Sequence, residues 1–183
     1  METAAHMCMA RGGAELSVAE IAKAAGVYPN QITYHFGSKD SLMVHAAFLG
    51  LLHDAERIER IGERATNAEA FRHNVARAVL AAPSLRPVAR ALSAGIARKD
   101  LAPVIDTHLQ LLFRLSRRYL ERLIAARGWS AAHPLDLEIR TFWSAAFGAT
   151  LLARAGVTGN TSDLDLAGTL TIHDEETGTS RAG

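Results

Sequence analysis

The chain holds one cysteine, Cys8, in 183 residues. A single thiol cannot close an internal disulfide, so the fold must be held by packing, as suits a reducing cytosol. No apolar run approaches the roughly 18 residues that a membrane-spanning helix needs. The opening METAAHMCMARGG lacks the basic-then-apolar order of a secretory leader. A cytoplasmic protein with no membrane contact is expected. Chemistry-bearing constellations are also missing. The eight histidines contain no His-x₃-His pair, and neither carboxylates nor Cys8 complete a ligand set at familiar spacing, so no metal and no cofactor is expected. There is no phosphate loop, nucleophile elbow or His-Glu-x-x-His, and Cys8 has no base arranged beside it; an enzyme is not expected. No segment alternates over strand length, so the chain reads all-α. Net charge is only +1, which by itself says nothing about nucleic acid.

What is present is concentrated in LSVAEIAKAAGVYPNQITYHFGSKDSLMVHAAF, from Leu16 to Phe48. Ser17 and Glu20 form a capping box at a helix start. Val18, Ile21 and Ala22 share one helical face, and Gly26 suits the left-handed residue that ends such a helix. Pro29 fits a first helical position. The next helix, Pro29 to His35, buries Ile32 and Phe36 and turns Asn30, Gln31, Thr33, Tyr34 and His35 outward. Two short helices, a tight turn and an outward row of hydrogen-bonding side chains describe a helix-turn-helix.

Ala25-Gly26-Val27, Tyr34-His35-Phe36, Gly37-Ser38-Lys39-Asp40 and Leu42 resemble the DNA-binding domain of the tetracycline-repressor (TetR) family of bacterial regulators. The resemblance covers about Ala10 to Phe48. It implies a three-helix head on a helical body that binds a small-molecule effector and dimerises. Asn30, Gln31 and Thr33 are then expected at base edges. Tyr34, His35 and Lys39 match phosphate-contacting positions, Ser38 adds a helix-terminus N–H, and Ser17 and Pro29 complete the expected DNA-facing set. Tyr28, Asn30 and Thr33 depart from the commoner family pattern, so no operator sequence carries over. The head is also short of charge: residues 1–45 hold Arg11, Lys23 and Lys39 against Glu2, Glu15, Glu20 and Asp40, whereas DNA-binding heads are usually basic. The first helix is expected only from about Thr3 to Ala10, with no basic arm before it. This leads to the expectation that residues upstream of Met1 are missing or that the start was misassigned.

Beyond the head, Ser38 is expected to cap a helix running to about Arg60, and Asn67 one holding Phe71, Val75 and Val79. Ser84 begins another with Val88, Leu92 and Ile96. Ala102 to Ala126 carries the strongest apolar stripe, including Ile105, His108, Leu112, Leu115, Tyr119 and Leu123, opposite a solvated face of Arg114, Arg117, Arg118, Glu121 and Arg122. Residues 129–135 read as a loop, Asp136 to Ala155 as a helix, and Ser162 as the cap of a last short helix through Leu170. Three regions follow: a head at 1–47, an effector-binding and dimerisation body at 48–171, and a flexible tail at 172–183. Phe71, His108, Leu112, Tyr119 and Trp143 are the candidate ligand-binding residues; His108 is either their polar anchor or a hydrogen-bonded core residue. Phe142, Ala145, Gly148, Ala149 and Leu152 are the candidate homodimer interface. The reading is a sequence-specific DNA-binding regulator, a repressor released by a small molecule and acting as a dimer on a pseudo-palindromic operator. The alternative, favoured by the head's deficit of basic charge, is a helical dimer of the same fold that has lost DNA binding and acts as an interaction or ligand-binding protein.

Overall fold

A computed structural model describes residues 1–11, 16–157 and 164–175. Helix α1 (Glu2–Arg11) leads into α2 (Val18–Ala25). The capping box forms: Ser17 Oγ accepts from Glu20 N–H at 3.1 Å, and Glu20 Oε2 accepts from Ser17 N–H at 2.8 Å. Gly26 ends α2 at φ 68°, where a Cβ would be strained. Helix α3 (Pro29–Phe36) follows, and Ser38, accepting from Ser41 N–H at 3.1 Å, caps α4 (Lys39–Glu63). Asn67 caps α5 (Ala68–Leu80) through Ala70 N–H at 2.8 Å. Then come α6 (Leu85–Ala97), a 3-10 turn at Lys99–Leu101, α7 (Ala102–Arg127) and α8 (Leu135–Arg154).

Two apolar cores meet on α4. The head core gathers Ala4, Ala5, Cys8, Leu16, Ile21, Ile32, Leu42 and Ala46. The body core takes over along the same helix at Val44, Ala47, Phe48, Leu51 and Ile58. Helix α4 touches α1, α3, α5, α6 and α7. It therefore runs unbroken across the boundary expected at 47, with its apolar residues divided between two partners. Buried Asp54 joins it to α6 by accepting from Ser84 N–H at 3.1 Å, where a carboxylate meets the positive end of a helix.

Four expectations need correction. Residues 129–135 are not wholly loop: β1 (Trp129–Ala131) pairs antiparallel with β2 (Ile172–Asp174), Trp129 opposite Asp174 and Ala131 opposite Ile172. The tail therefore does not begin at 172. Ile172 is buried, and the Asp174 carboxylate accepts from Ala68 N–H at the start of α5 at 3.2 Å. Leu170 closes a 3-10 turn at Ala167–Thr169 rather than a helix, while the expected cap Ser162 lies outside the described residues. Ile96, expected on the apolar face of α6, is 82% exposed, while the neighbouring Ala94 and Gly95 meet the core and Ile105 instead. The ribbon is anchored by buried Glu138, which accepts from Thr171 N–H at 3.0 Å and from the Thr171 hydroxyl.

The head is joined to the body by polar ties as well as by α4. Arg98, before α7, donates to Asp40 in the first turn of α4 at 2.5 Å. Further along, His45 Nδ1 and His108 Nε2 share a hydrogen bond at 2.8 Å. His45 meets the edge of Phe36 at the end of α3, and His108 stacks on Phe48. A run of rings thus connects the end of the recognition helix to α7. Burial holds both imidazoles below their ordinary value of 6.5; for His108 the neighbouring His45 adds to it. With both rings neutral, one N–H and one lone pair face each other. Two protonated rings would present two N–H groups and separate.

Two predictions follow from this packing. Gly62 lies against Phe71 and Tyr119, and a Cβ there would fall 2.8 Å from Phe71 Cε2 and collide with the Tyr119 hydroxyl. Overpacking costs about 1–3 kcal/mol against a helical gain of about 1 kcal/mol for Gly→Ala. Gly62→Ala should therefore lower the urea midpoint with the slope unchanged. The histidine pair sets a pH dependence. Its folded-state values lie below the unfolded 6.5, so the unfolded chain takes up protons first. The pair's contribution is complete above pH 6.5 and is lost as pH falls through the depressed values. Urea midpoints from pH 7.5 to 5 should fall in the wild type and fall less in the His45→Leu/His108→Leu double variant; equal slopes would contradict the assignment.

Candidate nucleic-acid interface and body cavity

Helix α3 presents a continuous polar surface. Pro29, Asn30, Gln31, Thr33, Tyr34 and His35 are exposed, Tyr34 at 86%, while Ile32 alone of this helix is buried and Phe36 is half-buried. The edge of the His35 ring packs on Tyr34. Ser38 and Lys39 are half-buried at the start of α4; the Ser38 N–H donates to the Phe36 carbonyl at 2.8 Å and the Ser41 N–H to Ser38 Oγ, so the expected helix-terminus N–H of Ser38 is already engaged. Two of these side chains also serve their own helices. Gln31 Oε1 accepts from Tyr28 N–H at 3.0 Å, supplying the cap that Tyr28 cannot. Thr33 Oγ1 donates to the Pro29 carbonyl at 3.4 Å. Paired recognition of adenine needs both ends of the Gln31 amide, and the cap occupies the oxygen. Ser17 likewise spends its hydroxyl on the α2 cap. Glu20 is held below its ordinary value by hydrogen bonds from Ser17, with Arg11 and Lys39 adding to the effect. A fixed negative charge thus stands beside the candidate phosphate-binding lysine.

The body holds an apolar cavity between α4, α5, α7 and α8. Its interior is about 50 Å³, and its open mouth brings the free space to about 480 Å³. Helix α4 contributes Ala55, Ile58 and Glu59; α5 contributes Phe71, Val75 and Val79. Ser116 and Tyr119 come from α7, and Phe142 and Trp143 from α8. The polar groups on α7 and α8 have partners inside the protein. Trp143 Nε1 donates to Ser116 Oγ at 3.0 Å, and the Tyr119 hydroxyl donates to the Glu59 carbonyl at 3.0 Å. Burial, with the Glu63 and Glu59 carboxylates nearby, pushes the Tyr119 phenol up, so it remains a donor.

Of the residues expected at a ligand site, Phe71, Tyr119 and Trp143 line this cavity; His108 and Leu112 do not. His108 is engaged at the junction with His45, and Leu112 is buried in the body core. The reason is the length of α7, about 39 Å at 1.5 Å per residue, which carries its two halves past different neighbours. The expected dimer residues also divide. Phe142 is buried and faces the cavity, and Ala149 is buried within the protomer. Ala145 and Gly148 are half-buried, and Leu152 is 50% exposed. With Leu137, 55% exposed, and the exposed Thr141 and Ser144, they form an outward stripe along α8. Sequence reasoning missed Glu59. The available signal was its helical spacing from Ala55 and Gly62, a carboxylate within an otherwise apolar face.

Comparison with known proteins bears on both halves. The model for tetR-family bacterial regulatory proteins matches residues 2–46. The model for a bacterial transcriptional repressor C-terminal domain matches residues 68–171. A solved candidate transcriptional regulator from Rhodococcus sp. RHA1 is 26% identical, with TM-score 0.72, over 91% of this chain and 88% of that one. At the level of fold alone, similarity extends to the fatty acid degradation regulator FadR from Bacillus halodurans, 16% identical with TM-score 0.58, over 91% of this chain and 88% of that one. A candidate TetR-family regulator from Mesorhizobium loti is similar in the same sense, 14% identical with TM-score 0.59, over 91% and 87%. No curated protein matches the chain. Matched in its helix-turn-helix and over more than half its length in its body, the chain belongs to the TetR family of bacterial transcriptional regulators.

Proposed function

We propose that this regulator is a dimeric repressor whose grip on an operator is released by a small molecule in the body cavity. The observation that carries the reading is the course of α4. One unbroken helix begins beside the recognition helix and lines the cavity with Ala55, Ile58 and Glu59. A ligand that favours a shifted α4 changes the separation of two heads in a dimer. Half-sites one turn apart, about 34–36 Å, are then no longer met together. Coupling of roughly 1–3 kcal/mol gives a 5- to 150-fold effect. In this reading Asn30, Gln31 and Thr33 face base edges, while Tyr34, His35, Ser38 and Lys39 meet phosphates. The alternative, a helical dimer without DNA binding, is favoured by the near-neutral head. Selection from random duplexes at matched salt decides between them: enrichment of a pseudo-palindrome supports the repressor, and equal affinity for all sequences overturns it.

Three variants test the head. Lys39→Ala should weaken all duplexes alike and reduce the salt slope by about one unit. Gln31→Ala should relax preference at one base pair by about 1–3 kcal/mol and also destabilise the head through the lost cap. Gln31→Glu keeps the cap acceptor and removes the amide donor, so changed preference with an unchanged melting temperature would assign the effect to readout. The α8 stripe is tested by Gly148→Arg. A Cβ at Gly148 meets nothing within 4 Å inside the protomer, so the variant folds, and an isologous interface would meet the new side chain twice. Sedimentation should show folded monomers. A dimeric variant, or a monomeric wild type at micromolar concentration, would exclude this face.

A further inference from the structure

The cavity offers one charged group to a ligand. Glu59 is half-buried at its wall, and among the described residues its carboxylate has no hydrogen-bond or ion-pair partner. No lysine, arginine or histidine lines the cavity. Arg122 lies within electrostatic range of Glu59 but lines a neighbouring cleft, with Tyr119, Glu63 and Arg127, rather than the cavity. The other polar cavity groups, Ser116 and Tyr119, are already paired. Four aromatic rings, of Phe71, Tyr119, Phe142 and Trp143, complete the surroundings.

A carboxylate that has lost part of its water without gaining a counter-ion is costly unless something positive arrives. Aromatic ring faces attract cations for the same electrostatic reason. An anionic ligand would meet repulsion from Glu59 and find no basic group to receive it. From this arrangement we infer that the effector is a hydrophobic ammonium compound, its cationic nitrogen at Glu59 and its apolar body among the aromatic rings. The inference rests on the cavity being the effector site and adds the ligand's charge. The small interior sets a limit on size: an apolar body no larger than one ring fits with modest movement of Phe71 and Trp143, with the ammonium left toward the mouth. Burial, more than the nearby Glu63 and Glu56, raises Glu59 above its ordinary value, and Arg122 opposes this. Acid would therefore neutralise Glu59 before an exposed glutamate and weaken binding of the cation.

Calorimetric titration of the full chain with three probes sharing the phenylethyl group tests this: 2-phenylethylamine, 2-phenylethanol and 3-phenylpropionate. The amine is expected to bind at least tenfold more tightly than the alcohol, and the carboxylate least. Glu59→Gln preserves size and should remove that advantage, a tenfold or greater loss for the amine with the alcohol unchanged. Its melting temperature checks the fold. If the alcohol or carboxylate binds as well as the amine, the cavity reading stands and the charge inference is overturned. If Glu59→Gln leaves amine affinity intact, Glu59 is not the anchor and the inference fails. If none of the three binds, the cavity is not a ligand site and both readings fall together.

Discussion

The rest of this structure depends on α4 being buried on two sides by different partners. Head residues from α1, α2 and α3 enclose its first turns at Leu42 and Ala46, while body residues enclose it from Val44 through Ile58. Each core is incomplete without the shared helix, which carries no proline, a common cause of a sharp kink. In the proposed switch, this shared helix is the route from the cavity to α3. Small residues permit the close approaches. Gly50 lies against Met9 and Ser84, and Gly62 against Phe71 and Tyr119. At Gly62 a Cβ would fall 2.8 Å from Phe71, which no side chain fits without a shift, whereas at Gly50 it would meet the flexible Met9 side chain at 3.1 Å.

Features set by neighbours in sequence were legible in the chain; features set by distant contacts were not. The Ser17–Glu20 box, the Gly26 stop and the Ser38 and Asn67 caps each involve residues within a few positions, so their chemistry is written locally. The β1–β2 ribbon joins three-residue strands some forty positions apart, too short for alternation to show. Its anchor, Glu138 with Thr171, is a long-range polar pair no pattern announces. Gln31 shows the limit of local reading from the other side. Exposure and identity suggested a base-reading residue, yet the missing cap at Tyr28, visible in the sequence, already required a side chain three positions on.

The candidate site divides along the same line. Phe71, Tyr119 and Trp143 were picked as aromatics on apolar faces and do line the cavity. His108 met the same criterion and does not, because periodicity says which face is buried but not what lies opposite at each turn. Along α7 the opposite partner changes from the start of α4, with His45 and Phe48, to its end, with Glu59. Glu59 was overlooked for the converse reason: a glutamate reads as solvent-facing by default, and only the geometry of α4 against α5 and α7 turns it to the cavity wall.

Magnitudes decide how such a molecule can switch. Separating head from α4 would expose Leu42, Ala46, Ile21 and Ile32 together, and fully burying a side chain of that size is worth about 1.5–3 kcal/mol. That contact cannot be the one that yields. The ties between α4 and α7 are far weaker. Arg98 and Asp40 are each nearly half exposed, and exposed pairs of this kind contribute little net stability. The His45–His108 hydrogen bond is worth about 0.5–1.5 kcal/mol, comparable to the coupling expected of a switch. If the cavity is the effector site, as proposed, its tight interior requires a ligand to displace side chains on entry, next to the body end of α4. In the proposed switch the His45–His108 bond, the Tyr119–Glu59 hydrogen bond and the nearby Arg98–Asp40 ion pair would rearrange where α4 meets α7, within the apolar core the two helices share. On the proposed reading, head and α4 would move as a unit, and individually weak polar ties would let a small ligand's binding energy move them.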